Sequence, residues 1–279
     1  MGLPMAGHVL SRGFRLVIHS RTRARAAELE SRGARWADTP ADAARHADVV
    51  CLCVPDTPDV EKVLLGGDGI ANAGRGGQIV IDHSTISPLA TRSLAAELGQ
   101  REITLLDAPI SGGDVGARNG TLAIMVGGDA PSLEKSRPVL ECYGKSITHC
   151  GGSGAGQFAK LVNQILVSVN LVAVCEALEF ARRNGLDMKT AIAAVGGGAA
   201  ASWQLLNLGP KIAAGDFAPG FMIDLLLKDL RILRECAQAS GTELPVSRVV
   251  AELFQKAKEL GHGRDGTQAV FHAVDALSA

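Results

Sequence analysis

Two rhythms of apolar residues predict an α/β domain joined to an all-helical one. Up to about residue 152, short apolar runs alternate with helical patterns: "FRLVIHS", "DVVCLCV", "GQIVIDHS", "EITLLDAPIS", "LAIMVGG" and "SITHCG". Between them lie helix candidates such as "RARAAELESRG", "TPDVEKVLL", "PLATRSLAAELG" and "SLEKSRPVLECYG". Strands that are apolar on both faces and separated by helices indicate a mostly parallel sheet. From Gly154 the strand signals stop, and "GQFAKLVNQILVSVNLVAVCEALEFARRNGL" reads as one helix. At the standard rise its roughly 30 residues would span about 45 Å. It is apolar almost all round, which predicts burial between two bodies. "DMKTAIAAV", "SWQLLNLGPKIAAG", "MIDLLLKDLRILRECAQASG", "PVSRVVAELFQKAKELG" and "TQAVFHAVDALS" supply further helices. The expected division is 1–152 for the α/β domain and 153–279 for the helical one.

Composition narrows the function. The 279 residues are 47% hydrophobic and 20% charged, enough for a full core. Lys+Arg (28) nearly balances Asp+Glu (29), and no basic run stands out, so neither nucleic acid nor an anionic membrane is expected as a partner. The six cysteines lack paired metal-ligand spacing; Cys51 and Cys53 alternate as buried strand residues would, and reduced thiols suit a cytoplasmic protein. No signal-peptide pattern opens the chain. The most apolar stretch, "QILVSVNLVAVC", is interrupted by Asn and Ser and is expected to fall short of a membrane span.

The ends of the strands carry the candidate ligand groups. In a dinucleotide-binding sheet the second strand ends at the adenosine ribose, where an acid suits free hydroxyls and Arg suits a 2′-phosphate. Here "RLVIHS" ends in Ser20, Arg21 and Thr22, and the first acid afterwards is Glu28. A guanidinium and two hydroxyls favour NADP(H), with NAD(H) possible. Ser20 or Thr22 could equally cap the helix that follows. "CVPDTPDV" (Val54, Pro55, Asp56) and "DHSTISP" (Thr85) also follow strands, where ligands of open sheets bind, although Asp56 and Thr85 could each be a helix cap.

"DAPISGGDVGARNGTLAIMVGG" follows with Ser111, Gly112 and Gly113. Consecutive glycines let backbone N–H groups converge on an anion such as a substrate carboxylate, and the serine adds a donor. In "GSGAGQFAKLVNQ", Lys160 lies near the start of the long helix, and Asn163 and Gln164 share its face. Apolar neighbours would desolvate this lysine and make it a useful acid–base group; a lone lysine there would otherwise snorkel to water. "FAPGFMIDLLLKDL" places Phe221, Lys228 and Asp229 around a helix start, where Lys228 and Asp229 could be only a surface pair. Trp203 could wall a pocket or staple two helices.

Taken in order, "MGLPMA", "VPD", "DHSTISP", "DAPISGG…GTLAIMVGG", "GQFAKLVNQ" and "LKDL" resemble the 3-hydroxyacid (β-hydroxyacid) dehydrogenase family nearly end to end. That family includes 3-hydroxyisobutyrate dehydrogenase, tartronate semialdehyde (2-hydroxy-3-oxopropionate) reductase and the glyoxylate/succinic semialdehyde reductases. The resemblance implies a Rossmann-type domain joined by a long helix to an all-α domain. It implies an NAD(P)-dependent oxidoreductase in which Lys160 protonates the carbonyl oxygen as hydride is delivered. Ser111, Gly112 and Gly113 would bind the substrate carboxylate, Thr85 would contact cofactor or substrate, and Lys228 would reach the cofactor across the domain cleft. Phe221, Asp229, Asn163, Gln164 and Trp203 would lie near the substrate. Family members pair through the helical domain, so a dimer or tetramer is expected.

Two departures stand out. The family's Asn-Asn after the lysine is Asn163-Gln164 here, which puts the substrate's identity in question. The family's "GxGxMGxPMA" fingerprint follows a strand, and Met1-Gly2 aligns with its "MG", with Gly2 as the third glycine and Met5 in the first helix. The first strand and two glycines, roughly ten residues, are therefore expected to be missing from the sheet, as from a start assigned too late. This supports an alternative, a non-catalytic or cofactor-impaired module. Oxidative decarboxylation of the 6-phosphogluconate type fits less well, since Asn163 stands where that relative has His. Lys160 argues against an imine reductase.

Overall fold

The computed structural model describes residues 1–278 and divides into two compact units, Met1–Lys160 and the remainder from Leu161. In the first unit, helix α1 (Gly2–Ser11) leads to strand β1 (Val17–Ile18), α2 (Ala27–Ser31), β2 (Arg35–Trp36) and α3 (Pro40–Arg45). Strand β3 (Val49–Leu52), α4 (Thr57–Leu65), β4 (Ile79–Asp82), α5 (Pro88–Gly99) and β5 (Thr104–Asp107) continue the alternation. Strand β6 (Ile110–Ser111), α6 (Gly113–Asn119), β7 (Leu122–Gly127), α7 (Ala130–Leu140) and β8 (Gly144–Gly151) complete the sheet before α8 (Ala155–Arg183). Local chemistry sets several starts: Thr39, Ser87 and Asp129 accept backbone N–H bonds at the N-termini of α3, α5 and α7, each with proline in the first turn.

Strands β3, β4 and β5 are parallel; β7 runs antiparallel to β5 and β6 and parallel to β8. Strand β4 is buried along its whole length, as its unbroken apolar pattern requires. β1 and β2 form a separate two-stranded parallel sheet. In a doubly wound fold the first strand lies between the second and the fourth. β1 and β3 hold those two places, and no ladder joins them among the described residues, so the fold is a Rossmann-type sheet lacking one central strand. Helix α1 spans the division: Met5 packs with Ile81 and Leu106 of the larger sheet, while Ala6 and Leu10 pack with Ile18 of the smaller one.

This division corrects one expectation. Cys51 and Cys53 are exposed rather than buried, because β3 ends the larger sheet and, among the described residues, no strand pairs with its outer edge. The strand-alternation rule presumes neighbours on both sides.

Helix α8 is the predicted long helix, at 29 residues. It is not buried all round: Val162, Leu166 and Phe180 are exposed. By length and composition it is apolar enough to cross a membrane, contrary to the sequence expectation. Its Leu171, Cys175 and Leu178 nevertheless sit in the core of the second unit, with Ile223, Leu226 and Phe254. That unit continues through α9 (Met188–Val195), α10 (Trp203–Asn207), α11 (Gly209–Ala213), α12 (Ile223–Ser240), α13 (Pro245–Ala257) and α14 (Phe271–Ser278). The single helix predicted over "SWQLLNLGPKIAAG" is two, because Pro210 lacks an N–H and starts the second.

Candidate active site

Lys160 is only 8% exposed, and its Nζ donates to the carbonyl oxygen of Ile110 at 2.9 Å. It therefore does not snorkel. Ile110 immediately precedes Ser111, so the ammonium is fixed beside the Ser111-Gly112-Gly113 turn that opens α6. Gly112 has φ +128° and Gly113 φ +62°, values that L side chains rarely adopt, and a Cβ on Gly112 would press on Leu122 at 3.3 Å. The sequence reading thus brought together a lysine and a glycine turn some fifty residues apart in the chain.

The start of α8 is held by groups that the sequence reading did not single out. Asp107, fully buried at the end of β5, accepts N–H bonds from Gly154 (2.8 Å) and Gln157 (2.9 Å). Burial raises its carboxyl above the usual range, against the pull of these backbone donors. Gly156 passes so close that a Cβ would lie 2.4 Å from the Met125 carbonyl oxygen. The buried Gln157 amide donates to the Ser84 carbonyl (2.8 Å), and its oxygen accepts from Ile86 N–H (3.2 Å). Those two bonds bracket Thr85 and clamp its loop to the helix turn below Lys160. Gln157 lies three residues before Lys160 on the same helical face, the one sequence signal that could have marked it.

Behind this loop, His83 donates through Nδ1 to the Ala108 carbonyl (2.7 Å) and accepts through Nε2 from the Tyr143 hydroxyl (2.8 Å). This tautomer follows from the carbonyl partner. Burial lowers the His83 imidazole to about 4 and raises the Tyr143 phenol well above its ordinary value.

The ends of β1 and β3 are more open. Arg21 has a side chain 76% exposed and pairs with Asp59 at 3.3 Å, while Ser20 Oγ accepts from Thr22 N–H at 3.4 Å. Neither Ser20 nor Thr22 makes a side-chain cap on the 3-10 turn that begins at Arg23, so the capping explanation for them is not realised. Asp56 does cap, accepting from Thr57 N–H at 2.7 Å. Val54 N–H donates to Ser84 Oγ (2.9 Å), tying this edge to the Thr85 loop, and Pro55 is exposed. Gly2 begins α1 beside Cys53, with Met5 buried one turn on.

The second unit contains a separate buried polar chain. Asn163 Nδ2 donates to Gln164 Oε1 (2.8 Å), Gln164 Nε2 donates to Asp229 Oδ2 (2.6 Å), and Lys228 Nζ meets Asp229 Oδ1 at 2.7 Å. Gln164 is 1% and Asp229 2% exposed, so Lys228–Asp229 is not the surface pair that its sequence allowed. Gln164, one methylene longer than asparagine, reaches the carboxylate within its own unit. Phe221 precedes α12 and packs partly against the core. Trp203, at the start of α10, is 60% exposed.

Fold and loops together define a nicotinamide-type α/β domain with a buried lysine at the carboxyl ends of its strands. The family comparisons agree. Residues 1–152 match the NAD-binding domain of 6-phosphogluconate dehydrogenase, and residues 154–274 match the NAD-binding domain of NADP-dependent 3-hydroxyisobutyrate dehydrogenase. The chain is 39% identical to 2-hydroxy-3-oxopropionate reductase of Escherichia coli, over all of this chain and 95% of that protein. It is 36% identical to an NAD-dependent L-serine dehydrogenase of Pseudomonas aeruginosa, over 94% of this chain and 90% of the other. The crystal structure of Mycobacterium tuberculosis 3-hydroxyisobutyrate dehydrogenase with L-serine superposes with a TM-score of 0.90 at 31% identity, covering 100% and 96% of the two chains. The chain belongs to the 3-hydroxyacid dehydrogenase family. It is an NAD(P)-dependent oxidoreductase acting on hydroxyacids.

Proposed function

We propose that the chain is an NADP(H)-linked reductase of small carboxylated aldehydes, reversible as a 3-hydroxyacid dehydrogenase. The observation that carries this reading is the Lys160 ammonium, buried and fixed 2.9 Å from the Ile110 carbonyl beside the Ser111-Gly112-Gly113 turn. A substrate carboxylate held by Ser111 Oγ and the glycine backbone would set its carbonyl oxygen near that ammonium, which donates the proton as the hydroxyl forms. The nicotinamide cofactor supplies the hydride. Ser20, Arg21 and Thr22 fit an adenosine 2′-phosphate, since the guanidinium is exposed and both hydroxyls lie at the strand tip. Thr85, clamped by Gln157, faces cofactor or substrate in this reading. Asn163, Gln164, Trp203, Phe221 and Asp229 keep the substrate roles, and Lys228 the cofactor role, that family membership suggests. Self-association through the helical unit as a dimer or tetramer belongs to the same reading, as does a cytoplasmic setting for its reduced thiols.

The test is NADPH oxidation with tartronate semialdehyde, glyoxylate, succinic semialdehyde and methylmalonate semialdehyde. Lys160→Ala should lower kcat by about 10²–10⁴-fold, the usual contribution of a positioned acid. Equal turnover by the variant would remove Lys160 from the chemistry. No turnover of any carboxylated aldehyde by the unmutated chain would remove the substrate class.

A further inference from the structure

We propose that Gln157 is a positioning residue for Lys160: it ties the loops after β3 and β4 to the first turns of α8, so that seating of the nicotinamide cofactor on those loops and the aim of the Lys160 ammonium are one event. This rests on the reading of Lys160 as proton donor and adds to it a residue that acts through the lysine. The first ground is the polarity of the amide. Gln157 is fully buried; its Nε2 donates to the Ser84 carbonyl oxygen at 2.8 Å, and its Oε1 accepts from Ile86 N–H at 3.2 Å. A carbonyl only accepts and a backbone N–H only donates, so these partners fix which way the amide points. The place calls for a donor at one end and an acceptor at the other. A carboxylate, which only accepts, would set its charge against the Ser84 oxygen.

The second ground is continuity. Gln157 N–H donates to Asp107 Oδ2 at 2.9 Å, which pins the main chain of the same residue to the end of β5. Beyond Ser84 the bonds run on: Ser84 Oγ accepts from Val54 N–H (2.9 Å), and Ser84 N–H donates to Asp82 Oδ1 (2.9 Å). Ser87 N–H donates to Thr57 Oγ1 at 3.2 Å, a second tie between the same two loops. The carboxyl ends of β3, β4 and β5 are therefore cross-linked through Ser84 and Gln157. Val54 and Thr85 stand at one end of this path, where ligands of open sheets bind. Lys160 stands at the other, one helical turn beyond Gln157.

The third ground is the lysine itself. Its flexible stem cannot set its own direction. The aim of Nζ comes from the helical turn that carries it and from the Ile110 carbonyl that it meets at 2.9 Å. Gln157 and Asp107 hold that turn against the sheet. A displacement of about 1 Å at the reacting atoms can cost about 10²-fold in rate, so a residue that fixes the turn is felt in kcat.

The test compares the full chain with Gln157→Met, which keeps the length without the amide, and Gln157→Glu, which loses the donor when ionised. NADPH-dependent turnover of a carboxylated aldehyde is followed from about pH 8.5 to about pH 5.5, with the Kd of NADPH alongside. Acetylation of Lys160 by acetic anhydride, normalised to the exposed Lys145, reports the lysine without any turnover. Gln157→Met should lower kcat about 30-fold, weaken NADPH about threefold and speed Lys160 acetylation about tenfold, with little change in KM for the aldehyde. Gln157→Glu should match it at high pH and recover toward the unmutated rate as pH falls, because a protonated carboxyl again donates to Ser84 and accepts from Ile86. Burial favours that protonated form. Asp82, His83, Arg92, Asp107, Cys150 and Lys160 surround the place in all three proteins, so the ratio of variant to unmutated rate isolates position 157. A ratio flat with pH overturns the proposal, as do unchanged kcat and unchanged Lys160 acetylation in Gln157→Met. Normal turnover by Lys160→Ala would instead remove the proton-donor reading, and the acetylation rates would still decide whether Gln157 positions the lysine. Should Gln157→Met fail to fold, or turnover be absent, the pH dependence of Lys160 acetylation in Gln157→Glu decides alone, and its absence counts equally against the proposal.

Discussion

Loops leave the carboxyl ends of β4 and β5, and others leave those of β1 and β3, but different forces hold the two sets. The first set is stitched from inside: Asp107 caps α8, Gln157 clamps the Thr85 loop, and His83 is fixed between Ala108 and Tyr143, all buried. The second rests on a surface ion pair, an Asp56 cap and helix α1 lying across two sheets. Buried hydrogen bonds at low dielectric resist distortion and are costly to leave unpaired; exposed pairs are weak. Lys160, the proton donor of the proposed reaction, stands on the stitched side, and the proposed ribose-phosphate contacts stand on the looser one.

The largest effect expected from this contrast is with pH. The folded-state imidazole of His83 is lowered to about 4, against an ordinary value near 6.5. The unfolded chain then binds the proton more readily, so stability is fully present above the unfolded value and is lost as pH falls from about 6.5 toward about 4. The loss amounts to about 3 kcal/mol in order of magnitude, at 1.36 kcal/mol per pKa unit. Denaturant unfolding between pH 7 and 4.5 should show this slope, and His83→Gln should flatten it. The lowered His272 in the second unit acts in the same direction and remains in the variant, so the difference between the two proteins isolates His83. A slope unchanged in His83→Gln would mean that the stitched loop tolerates a charge.

Next in size is Asp107→Ala. It removes the acceptor of two backbone N–H groups at a buried helix start, which should cost about 2–3 kcal/mol. Because α8 carries Lys160 one and a half turns on, kcat should fall with stability. A stable variant with normal kcat would show that Gly156 packing alone holds the helix end.

Much of this was legible in the sequence. The lysine, the serine–glycine turn and the two-part architecture each announce themselves locally, through motif or periodicity. The stitches do not. Asp107 to Gln157 and His83 to Tyr143 join residues fifty and sixty apart, and nothing in "LLDAP" or "IDHST" marks the acid or the imidazole as buried partners. The Gln164–Asp229 bond is another such stitch, joining residues 65 positions apart, and the helical spacing of Gln164 from Lys160 gives no sign of it. Cys51 and Cys53 misled because alternation describes a strand's faces and says nothing of its edges.

The smallest effect on stability, and the sharpest test of the looser side, comes from Arg21→Ala. Its side chain is 76% exposed and pairs with Asp59 at the surface, so stability should change by no more than about 0.5 kcal/mol. If the tip of β1 receives a 2′-phosphate, losing the charge-assisted contact should raise KM for NADPH about tenfold, near 1.4 kcal/mol. KM for NADH, which lacks that phosphate, should barely move, and kcat with either cofactor should hold because Lys160 sits in the stitched region. A parallel rise in both KM values would mean that Arg21 supports the strand tip rather than reading the phosphate. No change in either would place cofactor choice elsewhere and leave Ser20 and Thr22 as surface residues.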